Sequence, residues 1–499
     1  VLLALLCTWL ALAPGGGRLY LSWGGGAAAL EFDIASGAFS PTDQRAAPNP
    51  LEATSDGVRF VADLLPEQPS TAEHVASRVS VRDSESGRLI TSILLPNGST
   101  GVRGLAISPN GKWAFATHIL ARYTVHTTQL EQGWINTNAL SIINVPGRML
   151  HATVLLDDVD DGAANPWAVA VSPDSRTVYV THAGTHELSV IDLPALLARI
   201  DGHEGDPANR LSFLHGIRQR IQLPGKGPRA LALAAGKIWI AEHFTQTLTS
   251  ISIPGTGYAA PELETYRTGP PTLQSLEQRG EMLFNDASLC FQRWQSCASC
   301  HPDARVDGLN WDLVNDGIGN PKNTRTMVNA HRLPPVMWTG VRPDAEYAVR
   351  SGIRHIQFLE PDEEDARAID AYLKSLQPEP GPVADARSVE RGRKLFFSTE
   401  TGCTACHPKP LYTDNQLHDV GTHAENDFTI ESSGKRTPQT HFKTPSLLEA
   451  WRTAPYLHDG RHATILEVIT KGNHANRRGK TTQLTARELE DLAAFVASL

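Results

Sequence analysis

From about Arg18 to Pro261 apolar and polar residues alternate in short runs, the period of strands that bury one face. The runs recur as a unit. Ile107-Ser108-Pro109-Asn110-Gly111-Lys112 leads into Trp113-Ala114-Phe115-Ala116-Thr117-His118, and Val171-Ser172-Pro173-Asp174-Ser175-Arg176 leads into Val178-Tyr179-Val180-Thr181-His182. A third copy runs from Arg229-Ala230-Leu231-Ala232-Leu233 to Ile238-Trp239-Ile240-Ala241-Glu242. Fainter ones start at Arg18-Leu19-Tyr20-Leu21-Ser22 and Val58-Arg59-Phe60-Val61-Ala62. Each reads strand, tight turn, strand, polar turn, strand; proline and Asn/Asp-Gly supply the preset and left-handed backbone that such turns need. Sheets repeating every several tens of residues cannot cover both faces alone, which predicts radial closure into an all-β propeller over 18–262 with about five visible blades. Insertions around 122–138 and 200–219 interrupt the repeat.

After a linker at 254–271 the period becomes helical. Leu273 to Phe284 opens one unit, and Glu363 to Leu376, apolar at Ala366, Ile369, Leu373 and Leu376, closes it. Pro378-Glu379-Pro380-Gly381-Pro382 breaks the chain. Val389 to Phe397 opens a second unit, closed by Thr485 to Leu499 with Thr485 and Glu488 spaced as a capping box. The pattern therefore predicts two tandem all-α units, 273–380 and 386–499.

The first thirteen residues are an apolar Leu/Ala run ended by Pro14-Gly15-Gly16-Gly17, too short to span a membrane and close to the apolar region of a secretory signal, so 1–17 is expected to be signal-like. A buried first strand is the alternative. At 499 residues with a net charge of −9 the chain has length for several cores and no basic stripe for nucleic acid.

The chemistry lies in six cysteines. Cys297-Ala298-Ser299-Cys300-His301 and Cys403-Thr404-Ala405-Cys406-His407 both read C-x-x-C-H, the spacing that bonds two thiols to haem vinyl groups and turns the following imidazole onto the iron. The surroundings match: Arg279-Gly280 with Leu283-Phe284 precede the first, Arg391-Gly392 with Leu395-Phe396 the second. The segment is duplicated. A four-thiolate zinc site or a redox dithiol would leave both histidines unexplained. Two covalently bound c-type haems are expected, with Cys297, Cys300, Cys403 and Cys406 as attachment points and His301 and His407 as proximal ligands. Such attachment is made outside the bacterial cytoplasm, which points to a periplasmic or cell-surface protein. Cys7 lies in the signal-like stretch, and Cys290 is left as a buried structural thiol.

The repeat around Tyr179-Val180-Thr181-His182 to Asp192 resembles the YVTN-type β-propeller. Where that family commonly has Asn, this chain carries Asp63, His118, His182 and Glu242, a set that would converge on a metal or ligand if the positions share one face. The alternative is that each bonds its own turn.

Ala454-Pro455-Tyr456-Leu457-His458-Asp459-Gly460, with Phe442-Lys443-Thr444-Pro445-Ser446-Leu447 before it and Thr464-Ile465-Leu466-Glu467 after, resembles the bacterial di-haem cytochrome c peroxidase and MauG-like family, and the resemblance extends from about Glu277 to Leu499. It implies an oxidoreductase in which one haem passes electrons and the other meets hydrogen peroxide or another oxidant, served by a redox partner protein that could dock on the propeller. No methionine follows Met337, so the sixth ligand of the second haem is sought at His474, then His458, Tyr456 or His418; for the first haem the choices are Met337, His331, His355 or an open position. The family's Trp-Asp-Gly-Arg segment is here Trp338-Thr339-Gly340-Val341-Arg342, and Glu346 or Glu360 would replace its acidic loop residue as proton-moving groups. Trp338 and Trp311 are candidate electron bridges, or haem-packing aromatics. The competing class is a non-enzymatic electron-transfer cytochrome; a third has the propeller as the catalytic part with a metal.

Overall fold

The computed structural model describes residues 9–22, 29–42, 49–127, 135–252, 261–267, 275–313, 319–382, 385–430, 433–471 and 481–499. The first half holds five four-stranded antiparallel sheets, spanning 9–41, 52–94, 99–155, 166–222 and 228–267. All five are simple meanders. Their Ser-Pro-Asx turns close alike: Ser108 and Ser172 donate backbone N–H to Trp113 and Thr177 carbonyls, and their hydroxyls accept from the N–H of the same residues.

The sheets stack face to face through apolar cores. Phe60 and Val81 of the second meet Val102 and Ala116 of the third; Phe115 and Leu140 of the third meet Val178 and Ile191 of the fourth; Leu188 and Ile221 of the fourth meet Ile240 of the fifth. The chain's first sheet packs on its last, with Leu19, Leu21 and Phe32 against Trp239 and Ala241.

Three sequence expectations need correction here. Part of the signal-like run is a strand: Trp9–Leu12 pairs with Arg18–Ser22, and Leu10 is buried in the core shared with the fifth sheet. The repeat has four strands, not three. The fifth sheet runs past 262, because Glu262–Arg267 pairs with Thr247–Ser252; this outer strand is largely exposed and carries no apolar alternation to announce it. The insertion after the fourth sheet's third strand forms a helix, Leu193–Asp201, capped by the Asp192 side chain.

In the second half each C-x-x-C-H motif is framed by a crossed helix pair. Leu276–Asn285 crosses Glu363–Ser375, and Ala386–Phe396 crosses Ala486–Ala497. The duplicated Arg-Gly now has its reason. A Cβ on Gly280 would lie 1.8 Å from the Ala368 carbonyl oxygen, and one on Gly392 would lie 1.9 Å from that of Asp491, so only glycine lets the helices touch. The neighbouring arginines clamp each crossing, Arg279 to Asp365 and Arg391 to Asp491, both at 2.6 Å. These units are not wholly helical. Asn310–Trp311 pairs with Lys322–Asn323 in the first, and Leu417–His418 with Phe442–Lys443 in the second; the latter also carries a hairpin of Phe428–Ile430 and Arg436–Pro438.

The sheet region is fastened to the first helical unit, close to its motif. Asn165 Nδ2 donates to Ser296 Oγ and its Oδ1 accepts from Ser299 Oγ, both at 2.8 Å, while Asn138 Nδ2 donates to the Trp294 carbonyl. Arg293 reaches Asp161 at 2.6 Å, and His186 meets Asp286 at 3.1 Å.

A candidate cofactor cavity shared by the two motifs

Both C-x-x-C-H segments line one continuous cavity, with walls from the two helical units and none from the sheets. Its lining is mostly apolar, including Phe284, Val328, Ile353, Ile369 and Leu373 around the first motif and Phe396, Leu447, Ile465, Leu492 and Val496 around the second.

The two histidines are oriented alike. His301 Nδ1 donates to the Arg305 carbonyl at 3.0 Å and His407 Nδ1 to that of Tyr412 at 2.8 Å, which fixes the tautomer and leaves each Nε2 as a lone-pair donor. Burial holds His301 neutral, down to about 4, and lowers His407 as well. The thiols are neutral too: burial pushes Cys297 up to about 11 and raises Cys300 and Cys403. Among the described residues no cluster with metal-binding spacing joins the two cysteine pairs; the one such group is Cys406, Asp414 and His418. A thioether at Cys406 would withdraw its sulfur from that group. Cys290 is a buried thiol in the core beside Trp294.

The chain from motif to closing helix is also duplicated in backbone form. Val336 bridges Arg342 as Tyr456 bridges His462, Met337 has φ 75° as Leu457 has 72°, and Gly340 has 67° as Gly460 has 62°. Of the first haem's candidate sixth ligands, Met337 lines the cavity. His331 does not line it and pairs with Asp370 at 3.1 Å; His355 is exposed.

Around the second motif His458, Tyr456 and His418 all line the cavity, but each has a partner. His458 Nε2 bonds Asp427 at 2.7 Å while its ring stacks on Phe442 with centroids 3.7 Å apart; Tyr456 donates its hydroxyl to the Ala450 carbonyl; His418 Nε2 meets Asp414 at 2.6 Å. His474 lies outside the described residues.

Glu346 and Glu360 stand apart from the cavity. Glu346 pairs with Lys374 at 2.7 Å and Glu360 with Arg354 at 2.5 Å, and helix Ala345–His355 turns Ala345, Ala348, Val349 and Gly352 inward instead. Trp338 and Trp311 both line it: Trp338 Nε1 donates to the Asn323 carbonyl and Trp311 Nε1 to Asp307, each at 2.7 Å. Asn323 in turn donates its N–H to the His458 carbonyl, so one residue links the corresponding loops of the two units.

Asp63, His118, His182 and Glu242 do not converge among the described contacts. His118 bonds Ser141 and the Ile119 carbonyl, and His182 bonds Ser189 and the Ala163 carbonyl. Glu242 accepts from Thr249 and the Gly225 N–H, and Asp63 pairs with Arg78. Each side chain is held by partners on its own sheet or on the segment leading into it, not by the other three.

Sequence reasoning missed the place of Arg325, half-buried, and Lys443, buried, both of which line the cavity. No Asp or Glu is among the described residues that line it. Apolar walls, thiols at the attachment positions, two oriented imidazoles and unopposed positive charge together fit an anionic, disc-shaped prosthetic group such as haem.

Comparison with known proteins agrees. Residues 274–384 match the family model described as di-haem cytochrome c peroxidase. Hydrazine synthase subunit gamma of Kuenenia stuttgartiensis is 28% identical over 281 residues, 46% of this chain and 79% of that protein. The methylamine utilization protein MauG of Methylophilus methylotrophus is 24% identical over 322 residues, 52% of this chain and 95% of that protein. Among solved structures, a MauG-like protein associated with microbial copper homeostasis aligns with a TM-score of 0.38 and 22% identity, covering 46% of this chain and 90% of that one. Residues 274–384 thus carry a domain similar to the di-haem cytochrome c peroxidase/MauG-like proteins.

Proposed function

We propose that the chain is an exported c-type cytochrome with two thioether-bound haems, an oxidoreductase of the cytochrome c peroxidase/MauG-like type. In this reading the five sheets are the blades of a β-propeller and 273–380 and 386–499 are tandem cytochrome units. The observation that carries it is the matched pair of imidazoles, His301 and His407, each pinned through Nδ1 to a backbone carbonyl beside two thiols in one apolar cavity. Export follows from the thioether chemistry.

Cys297 and Cys300 would hold the first haem and Cys403 and Cys406 the second, and His301 and His407 would supply an imidazole to each iron. Bound haem would supply one-electron steps at iron. The chain's own part is to orient and insulate. The Arg305 and Tyr412 carbonyls fix the two rings, and the apolar walls keep water from both. In this scheme one haem would keep an open position for the oxidant, and Met337, which lines the cavity, is the side chain available to the first. Trp338, held by the Asn323 carbonyl, stands on the loop that corresponds to that of His458 and is positioned to carry electrons between the units. A redox partner protein would meet a sheet surface other than the one packed on the first unit.

A second reading, electron transfer without turnover of peroxide, is favoured by one observation: no carboxylate among the described residues faces the cavity to move a proton during O–O cleavage. Electron paramagnetic resonance of the oxidised and half-reduced protein, with and without hydrogen peroxide, separates the two. A high-spin iron that responds to peroxide supports the oxidoreductase; two low-spin irons unmoved in both states support the conduit. A protein with no thioether-bound haem would end both.

A further inference from the structure

Among the described residues Arg325 and Lys443 have no carboxylate partner, and burial lowers Lys443 from 10.5 to about 7. Arg325 follows the strand Lys322–Asn323 of the first unit; its Nη1 donates to the Met337 carbonyl at 3.0 Å, and its guanidinium lies 4.7 Å over the Trp338 ring. Lys443 ends the corresponding strand of the second unit and is 2% exposed; its ammonium crosses between units to donate to the Leu333 and Pro335 carbonyls. No carboxylate among the described residues acts on either, and the one charge felt by Lys443 is that of Arg325, of like sign. Lys322, the neighbouring cation on the same wall, does have a partner, Asp427 at 3.1 Å.

Burying one charge without an opposite one costs several kcal/mol, and two of the same sign cost more. Carbonyl dipoles offset part of this for Lys443. The remainder calls for an anion inside the cavity, and a guanidinium fork beside an ammonium suits a carboxylate.

We propose that Arg325 and Lys443 form a carboxylate site where the two units meet, occupied by haem propionates. The proposal rests on the two-haem reading above. It makes these residues the electrostatic clamp of the prosthetic groups: their charge would orient bound porphyrins and raise the reduction potentials. A free small carboxylate in the cavity would have the same chemistry, so the test distinguishes the two sources.

The experiment uses the full chain loaded with haem. Pyridine haemochrome first counts thioether-bound haems; an unloaded wild-type protein would sink the two-haem reading rather than this one. Potentiometric titration of wild type, Arg325→Gln, Arg325→Lys and Lys443→Met follows. The expected result is a downward shift of the midpoint potential of at least one haem in Arg325→Gln and in Lys443→Met, a smaller one in Arg325→Lys, and wild-type potentials that do not respond to added sodium formate. Fully loaded variants with unshifted potentials would overturn the proposal, and so would wild-type potentials that move with formate, the mark of a free anion. Resonance Raman spectra of the wild type give a reading that needs no variant: propionate bending bands at hydrogen-bonded frequencies are expected, and bands at unbonded frequencies would overturn it.

Discussion

Arg305 meets the carboxylate of Glu449 through two donors, Nε at 3.1 Å and Nη2 at 2.9 Å, across the boundary between the helical units. The carboxylate is fully buried, and the carbonyl of the same arginine receives the Nδ1 proton of His301. One residue thus ties the first motif's imidazole to the second unit. Asp303, between Arg103 of the third sheet at 3.0 Å and Arg452 of the second unit at 3.1 Å, extends the network to all three parts of the chain.

Replacing Glu449 by Ala leaves a buried guanidinium with the Asp303 carbonyl at 2.7 Å and, among the described carboxylates, the more distant Glu379 at 3.6 Å. Breaking a buried pair from one side costs about 3 kcal/mol. Urea unfolding of Glu449→Ala is expected to show that loss, and the Soret band of the first haem to shift as His301 loses its fixed support.

The helix crossings give a sharper steric expectation. Gly280→Ala and Gly392→Ala each drive a Cβ to within 2 Å of a backbone oxygen, so the helices must separate. Overpacking of this kind costs roughly 3 kcal/mol. Thermal unfolding should show a lowered Tm in both variants.

Stability at acid pH should depend on Asp427. Burial favours its protonated form, but the hydrogen bond and charge of His458, with Lys322 behind, outweigh that and bring the carboxyl down to about 2 from 3.8. A carboxyl lowered on folding stabilises the native state above its unfolded pKa, and that contribution disappears as pH falls from about 4 to about 2. It amounts to about 2 kcal/mol. Asp427→Asn should flatten the fall of Tm in that window relative to wild type.

Changing Cys403 and Cys406 together to Ala should halve the thioether haem content and leave the first haem's absorption in place. A haemochrome assay against protein concentration reads the ratio. Retention of both haems would mean that attachment runs through other thiols.

The sequence by itself determined the repeat and the chemistry. Alternating apolar positions fixed the inner strands because burial of one face imposes a period of two, and Ser172-Pro173-Asp174 marked a turn because its side chains bond their own backbone. Two C-x-x-C-H segments in matching surroundings marked the duplicated unit, since covalent attachment needs consecutive residues. Tertiary structure decided what spacing does not encode. The exposed strand Glu262–Arg267 forms by pairing alone, and the apolar Trp9–Leu12 is a strand because the fifth sheet offers a core for Leu10. Glu346 and Glu360 turned out to face away from the cavity, since helix register and surface partners, not proximity in sequence, set where a side chain points. Arg325 carried no motif, and Lys443 entered only as one residue of a family resemblance. Only the meeting of two units, in a cavity that no Asp or Glu of the described residues lines, brings them together beside both motifs.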